Sequence, residues 1–164
     1  ITSAKALGGG LPLSGVSGPA EIMDIPAPGS IGGTFGGNPL ACVAAIANLD
    51  LIRKSLGNAT ELGNMIERRF KEMAEDHRWI GDVRGLGAMR AIELVKDRKT
   101  KEPAKDEVAA IIAEARAHGG LFLSAGWYGN VLRLLPPLNM AKDALVEGLD
   151  ILDAAFTVVE RKAA

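Results

Sequence analysis

The chain has 164 residues, 19 basic and 20 acidic side chains, and 48% hydrophobic residues, the size of one ordinary domain with enough apolar mass for a core. A formal net charge of −1 removes the basic footprint of a nucleic-acid binder. The single cysteine, Cys42, excludes an internal disulfide and a cysteine-built metal cage, and no apolar run approaches the ~18–20 residues of a membrane span. The expectation is a globular protein of a reducing, cytoplasmic compartment, with no nucleic acid, membrane or metal among its partners.

Charge is spread unevenly. Residues 1–52 carry four charges (Lys5, Glu21, Asp24 and Asp50) and ten of the twenty glycines. Solvated surface is rarely so poor in charge, so this stretch is expected to be covered by other protein. The chain opens on Ile1, with no initiator Met and no signal-peptide n-region. It is therefore expected to be the C-terminal part of a longer polypeptide, with the missing N-terminal part as a partner.

In chain order, the glycine loop 29–37 feeds a helix with Asn38 as N-cap and Pro39 as first helical residue. Leu40, Val43, Ala44, Ala47 and Leu51 follow at helical spacing, and Gly57 predicts its stop. A second helix is predicted from Leu62, Met65, Ile66, Phe70 and Met73. The run from Gly81 to Gly87 reads as a turn and Ala88 to Val95 as a strand, followed by an exposed loop, Asp97 to Pro103. A helix is expected from about Lys105 to Gly119-Gly120. Leu121 to Leu123 and Val131 to Leu135 read as two buried strands, and Leu145, Leu149, Leu152, Phe156 and Val159 as a final amphipathic helix. Residues 58–164 thus read as an α+β or α/β unit with its own core.

Lys5 is the only lysine before Lys54, set between Ser3-Ala4 and Ala6-Leu7-Gly8-Gly9-Gly10. Small apolar neighbours disfavour an ammonium, and a less basic amine can condense with an aldehyde or ketone. Three glycines admit a flat cofactor close to the backbone. The alternative is a snorkelling lysine at a strand end. Thr34, a hydroxyl among glycines ahead of a helix, suits a phosphate or a simple turn. Arg133, inside Val131-Leu132-Arg133-Leu134-Leu135, needs an anionic partner if buried, either a ligand carboxylate or a protein acid. Arg84 is assigned to structure, His77 to a solvated helix end, His118 to a helix C-terminus, and Trp127-Tyr128 to a packed loop.

Four ordered blocks carry a resemblance: Thr2 to Gly15 around Lys5, Gly32 to Ala41, Gly81 to Met89, and Val131 to Leu138. Together they are similar to class III aminotransferases, looking most like the bacterial 4-aminobutyrate branch. The resemblance implies an α/β fold, the C-terminal part of a fold-type I transferase dependent on pyridoxal 5′-phosphate (PLP). Residues 1–55 would be the end of the large PLP-binding domain and 56–164 the small C-terminal domain. It implies transfer of the amino group of 4-aminobutyrate to 2-oxoglutarate, or of a related ω-amino acid, ornithine or acetylornithine donor to a 2-oxo acid. Lys5 would be the catalytic and cofactor-binding Schiff-base lysine and later the proton shuttle. Thr34 would bind the cofactor phosphate of the neighbouring subunit in a homodimer, and Arg133 the substrate carboxylate. The partner of the pyridine nitrogen, the main phosphate loop, the stacking aromatic and a catalytic-site glutamate would precede Lys5, so the isolated chain is expected to be inactive. The competing expectation is a non-catalytic fragment acting only in dimerisation.

Overall fold

A computed structural model of the chain describes residues 1–163, which form two compact units that divide between Ser55 and Leu56. In the first, β1 (Thr2–Ser3) pairs antiparallel with β2 (Gly15–Val16). The Ser17 N–H donates to the Ile1 carbonyl at 2.9 Å and closes the pair. A 3₁₀ turn, Lys5–Gly8, lies between them and ends on Gly9 in the left-handed region. A short helix, α1 (Ala20–Met23), follows. The unit buries little within itself: Ile31, Phe35, Leu40 and Val43 are each more than two-thirds exposed.

Helix α2 (Pro39–Asp76) starts as its sequence requires. Asn38 Oδ1 accepts from the backbone N–H groups of Leu40 at 3.0 Å and Ala41 at 3.3 Å, satisfying two orphan donors of the first turn. Gly57 does not stop it, and the two predicted helices are one helix of 38 residues. An interior glycine costs a helix about 1 kcal/mol. Leu62, Ile66, Phe70 and Met73, all buried further along α2, outweigh that cost at about 1.5–3 kcal/mol each.

The second unit holds a four-stranded antiparallel sheet in the order β3 (Ile80–Leu86), β4 (Met89–Leu94), β6 (Val131–Leu134), β5 (Ser124–Ala125). Helices α3 (Lys105–Ala117) and α4 (Lys142–Lys162) complete it. Ile92, Leu94 and Leu132 from the sheet share one core with the α2 residues, Val108 and Ile111 of α3, and Leu145, Leu149, Leu152 and Phe156 of α4.

Two further expectations fail here. The glycines from 81 to 85 form a strand instead of a turn, which shrinks to Gly87-Ala88. They serve close approach: Gly81 faces the Val95 side chain next to a register shift between Ile80 and Asp82, and Gly85 (φ 147°) leaves room for the backbone of Met89 and Arg90. Leu121–Leu123 is not a strand. Leu121 and Leu123 are exposed, only Phe122 packs against the core, and pairing with β6 begins at Ser124.

Two helical glycines separate backbone propensity from packing. A Cβ on Gly57 meets nothing within 4 Å, whereas one on Gly63 collides with the Gly87 carbonyl. Gly57→Ala should raise stability by about 0.5–1 kcal/mol. Gly63→Ala should lower it by about 1–3 kcal/mol. Denaturant midpoints of the two variants check both signs.

Candidate active site

Lys5 lies in the first unit, exposed, at the head of the 3₁₀ turn. Its φ of 58° is left-handed, a conformation that costs an L-residue with a Cβ roughly 1–2 kcal/mol. Such strain persists where the surroundings over-determine it, often at functional sites, although Lys101 shares it (φ 59°) in a surface turn. The turn is closed by Leu7 N–H to the Ala4 carbonyl at 3.2 Å and Gly9 N–H to the Ala6 carbonyl at 3.0 Å. The desolvated setting inferred from small neighbours is not what this chain provides around Lys5, because Ala and Gly cover too little of a long side chain. A Cβ built on Gly10 meets nothing within 4 Å, so the turn has open space beside it.

Thr34 is in the same unit, exposed, in the turn before α2. Gly36 N–H donates to the Gly33 carbonyl at 2.9 Å across it. Gly32, Gly33 and Gly37 again border open space. No hydrogen bond of the described residues involves the Thr34 hydroxyl or the Lys5 amine, so both are chemically available; they occupy separate turns.

Arg133 belongs to the second unit. The expectation of a buried arginine is corrected by the pleat: Val131 and Leu132 are buried, but Arg133 is exposed. Leu132 pairs with Ile92 on the core face, which puts Arg133, opposite Ala91, on the other face. Arg84 also stands opposite Ala91, so two arginines flank one alanine across three strands. They differ in pairing. Arg84 binds Asp82 at 2.6 Å and Glu93 at 2.7 Å, and these carboxylates, Asp82 foremost, raise its already high pKa further. Arg133 makes no ion pair among the described residues. It edges a cavity of ≈ 700 Å³ bounded also by Phe122, Leu135, Pro136 and α4.

His77 is the polar residue that the local sequence misjudged. It is 4% exposed, with Nε2 2.7 Å from Asp153 Oδ1 and Nδ1 3.0 Å from Glu160 Oε2. Its ring lies 4.9 Å from Phe156. The available signal was distant: Asp153, Phe156 and Glu160 share one side of α4 at helical spacing. Trp127, expected in a packed loop, is 95% exposed. His118 caps α3 as expected, its Nδ1 3.0 Å from the Glu114 carbonyl. No group of His, Cys, Asp and Glu among the described residues could hold a metal ion, and none of their helices is long and apolar enough to cross a membrane.

The fold is mixed helix and sheet, and it matches part of larger aminotransferase structures. It superposes on an aminotransferase of Bacillus anthracis with a TM-score of 0.85 at 30% identity, over 96% of this chain and 38% of that one. An amine transaminase from an uncultivated Pseudomonas species, in its PLP-bound form, gives a TM-score of 0.71 at 34% identity over 79% of this chain and 30% of that one. The family model for class-III aminotransferases matches residues 1–156, and the chain belongs to that family. It is 50% identical over 158 residues to the "Probable 4-aminobutyrate aminotransferase" of Bacillus subtilis (strain 168), covering 95% of this chain and 36% of that protein. It is 45% identical over 157 residues to the 5-aminovalerate aminotransferase DavT of Pseudomonas aeruginosa, covering 94% and 37%. The chain thus spans a little over a third of the length of the curated relatives it matches.

Removing the His77 ring leaves a cavity beside Phe156 and takes a hydrogen-bond partner from Asp153, which keeps Arg69, and from Glu160. His77→Ala should cost about 2–4 kcal/mol, the upper end held down by the partial exposure of Asp153 and Glu160. His77→Gln, which keeps an N–H donor, should cost less. Chemical denaturation of both variants measures the difference.

Proposed function

We propose that the native polypeptide containing this chain is a PLP-dependent aminotransferase that moves the amino group of 4-aminobutyrate to 2-oxoglutarate. The observation that carries this reading is Lys5: a free, exposed amine at the head of a glycine-lined turn, in a chain half identical to a relative named for that reaction. In this reading residues 1–55 end the large cofactor domain and 56–164 form the small domain.

The donor set fits the cofactor. A primary amine suits the aldehyde of PLP, an unbonded hydroxyl suits its phosphate, and open space at Gly10, Gly32 and Gly33 admits a planar ring. PLP, when bound, supplies an electron sink for the carbanion formed at the substrate carbon. Lys5 Nζ would hold the cofactor covalently, and once released as a free amine it would move the proton that leaves and rejoins the substrate carbon. Thr34 would hydrogen-bond, through its hydroxyl, the cofactor phosphate held in a second copy of the chain. The exposed Ile31, Phe35, Leu40 and Val43 support coverage by other protein, as a homodimer requires. Arg133 clamps the substrate carboxylate with its planar fork, a role supported by its lack of a protein ion pair where Arg84 has two.

The likeness to DavT favours a second reading, a 5-aminovalerate donor. The two donors differ by one methylene, which a pocket discriminates by only about 1–3 kcal/mol.

Borohydride reduction of the native protein with PLP, followed by peptide mapping, should place the pyridoxyl group on Lys5. Recovery on Lys54 or Lys71 would overturn the assignment. The 164-residue chain alone should show no substrate-dependent turnover.

Arg133→Ala should lower kcat/KM for a carboxylate-bearing donor by about 10–150-fold, from the roughly 1.5–3 kcal/mol of a charge-assisted contact. An amine of similar length without the carboxylate should lose far less, and Arg133→Lys should recover only part. Equal losses for both amines would make Arg133 architecture.

A further inference from the structure

Asn48 lies on α2, half-buried. Its Nδ2 donates to the carbonyl of Ala6 at 2.5 Å and to that of Leu7 at 3.3 Å. Those two carbonyls belong to the turn that Lys5 opens. Among the described residues, Asn48 is the one side chain of the first unit that hydrogen-bonds a residue more than four positions away, reaching across 42 and 41 positions. Both acceptors are carbonyls, so the carboxamide must present its nitrogen to them.

The helix itself gains nothing from this residue. Asparagine is a poorer helix former than alanine, and the positions around it are Ala44, Ala45 and Ala47. Nor do the carbonyls lack other partners, since the Ala6 contact is exposed and water can serve it. What the carboxamide adds is direction. It fixes two successive peptide planes following Lys5, and a Cβ built on Gly9 (φ 59°) would stand in ordinary contact with Asn48 Cβ, at 3.7 Å. Glycine takes that left-handed φ without the cost a Cβ would add.

We propose that Asn48 is a positioning residue for Lys5: its carboxamide locks the Lys5–Gly8 turn and so fixes where the amine points. The inference rests on Lys5 being the cofactor lysine. Lys5 holds a left-handed φ of 58° that it leaves readily once the following peptides are free to rotate. With the clamp in place the amine is pre-aimed, and without it only a fraction of molecules present it productively.

The test uses the native polypeptide stripped of cofactor, mixed with pyridoxal phosphate and quenched with borohydride at timed intervals, with labelled peptides quantified by mass. Asn48→Ala should slow labelling of Lys5 about 3–10-fold, the effect of losing neutral hydrogen bonds, and leave background labelling of Lys54 and Lys71 unchanged. Asn48→Asp, which keeps the shape and removes the N–H donors, should behave alike. Hydrogen exchange should quicken at the Leu7, Gly9 and Leu11 amides, which close the turn, and not along α2. Equal labelling rates in wild type and both variants would overturn the inference and leave Lys5 as the cofactor lysine. Faster exchange throughout α2 would assign Asn48 a general structural role and overturn it too. Absence of pyridoxyl on wild-type Lys5 would overturn the functional reading, and the inference with it.

Discussion

Burial of Ile92, Leu94 and Leu132 against Leu62, Ile66 and Phe70 of α2 and Leu152 and Phe156 of α4 is the interaction on which the second unit depends. Each such side chain contributes about 1.5–3 kcal/mol, and together they fix the register of β4 on β6. Asn130 reinforces that register from inside: Leu94 N–H donates to its carbonyl at 2.8 Å, and its Nδ2 to the Leu94 carbonyl at 2.9 Å. The pleat does the rest. With Leu132 on the core face, Arg133 must face away, and a slip by one residue would exchange the two. The direction of the proposed carboxylate clamp is thus set by hydrophobic pairing on the opposite side of the sheet.

A polar seam runs beside that core. Arg90, on the core face, binds Glu67 of α2 at 2.9 Å, and Arg69 of α2 binds Asp150 and Asp153 of α4. Arg90 and Lys71 hold the Glu67 carboxyl below its usual range, the Lys71 hydrogen bond being the larger cause. Partly exposed pairs such as Arg69–Asp150 add little stability. They do specify which faces meet, since a misdocked α4 would leave Asp153 and Glu160 without His77.

What was legible in the sequence was local or chemical. Asn38-Pro39 announces a helix start because a cap needs only its own next three residues. Lys5, Thr34 and Arg133 stand out because an amine, a hydroxyl among glycines and a guanidinium in an apolar run each ask for a partner. What was illegible depended on distance. Gly57 looks like a stop until buried residues on the far side carry the helix through it. The glycines at 81 and 85 look like a turn until Val95 and Arg90 are known to lie against them. His77 looks solvated until Asp153 and Glu160 arrive from α4, and no local pattern links Asn48 to a carbonyl 42 positions earlier.

The two units therefore place their proposed site residues by different physics. Arg133 stands on a strand whose neighbours are locked by a shared core, so its backbone is placed by many weak contacts, none indispensable alone. Lys5 has no such support: within its unit the turn is held by a two-residue strand pair, a few backbone hydrogen bonds and one carboxamide. A position determined by so few bonds is sensitive to each of them. Covering protein on the exposed apolar residues of that unit would shift its placement toward packing and lower that sensitivity. The dependence of Lys5 on Asn48 should accordingly be greatest before the unit is covered, while the dependence of Arg133 on its core should be the same at every stage of assembly.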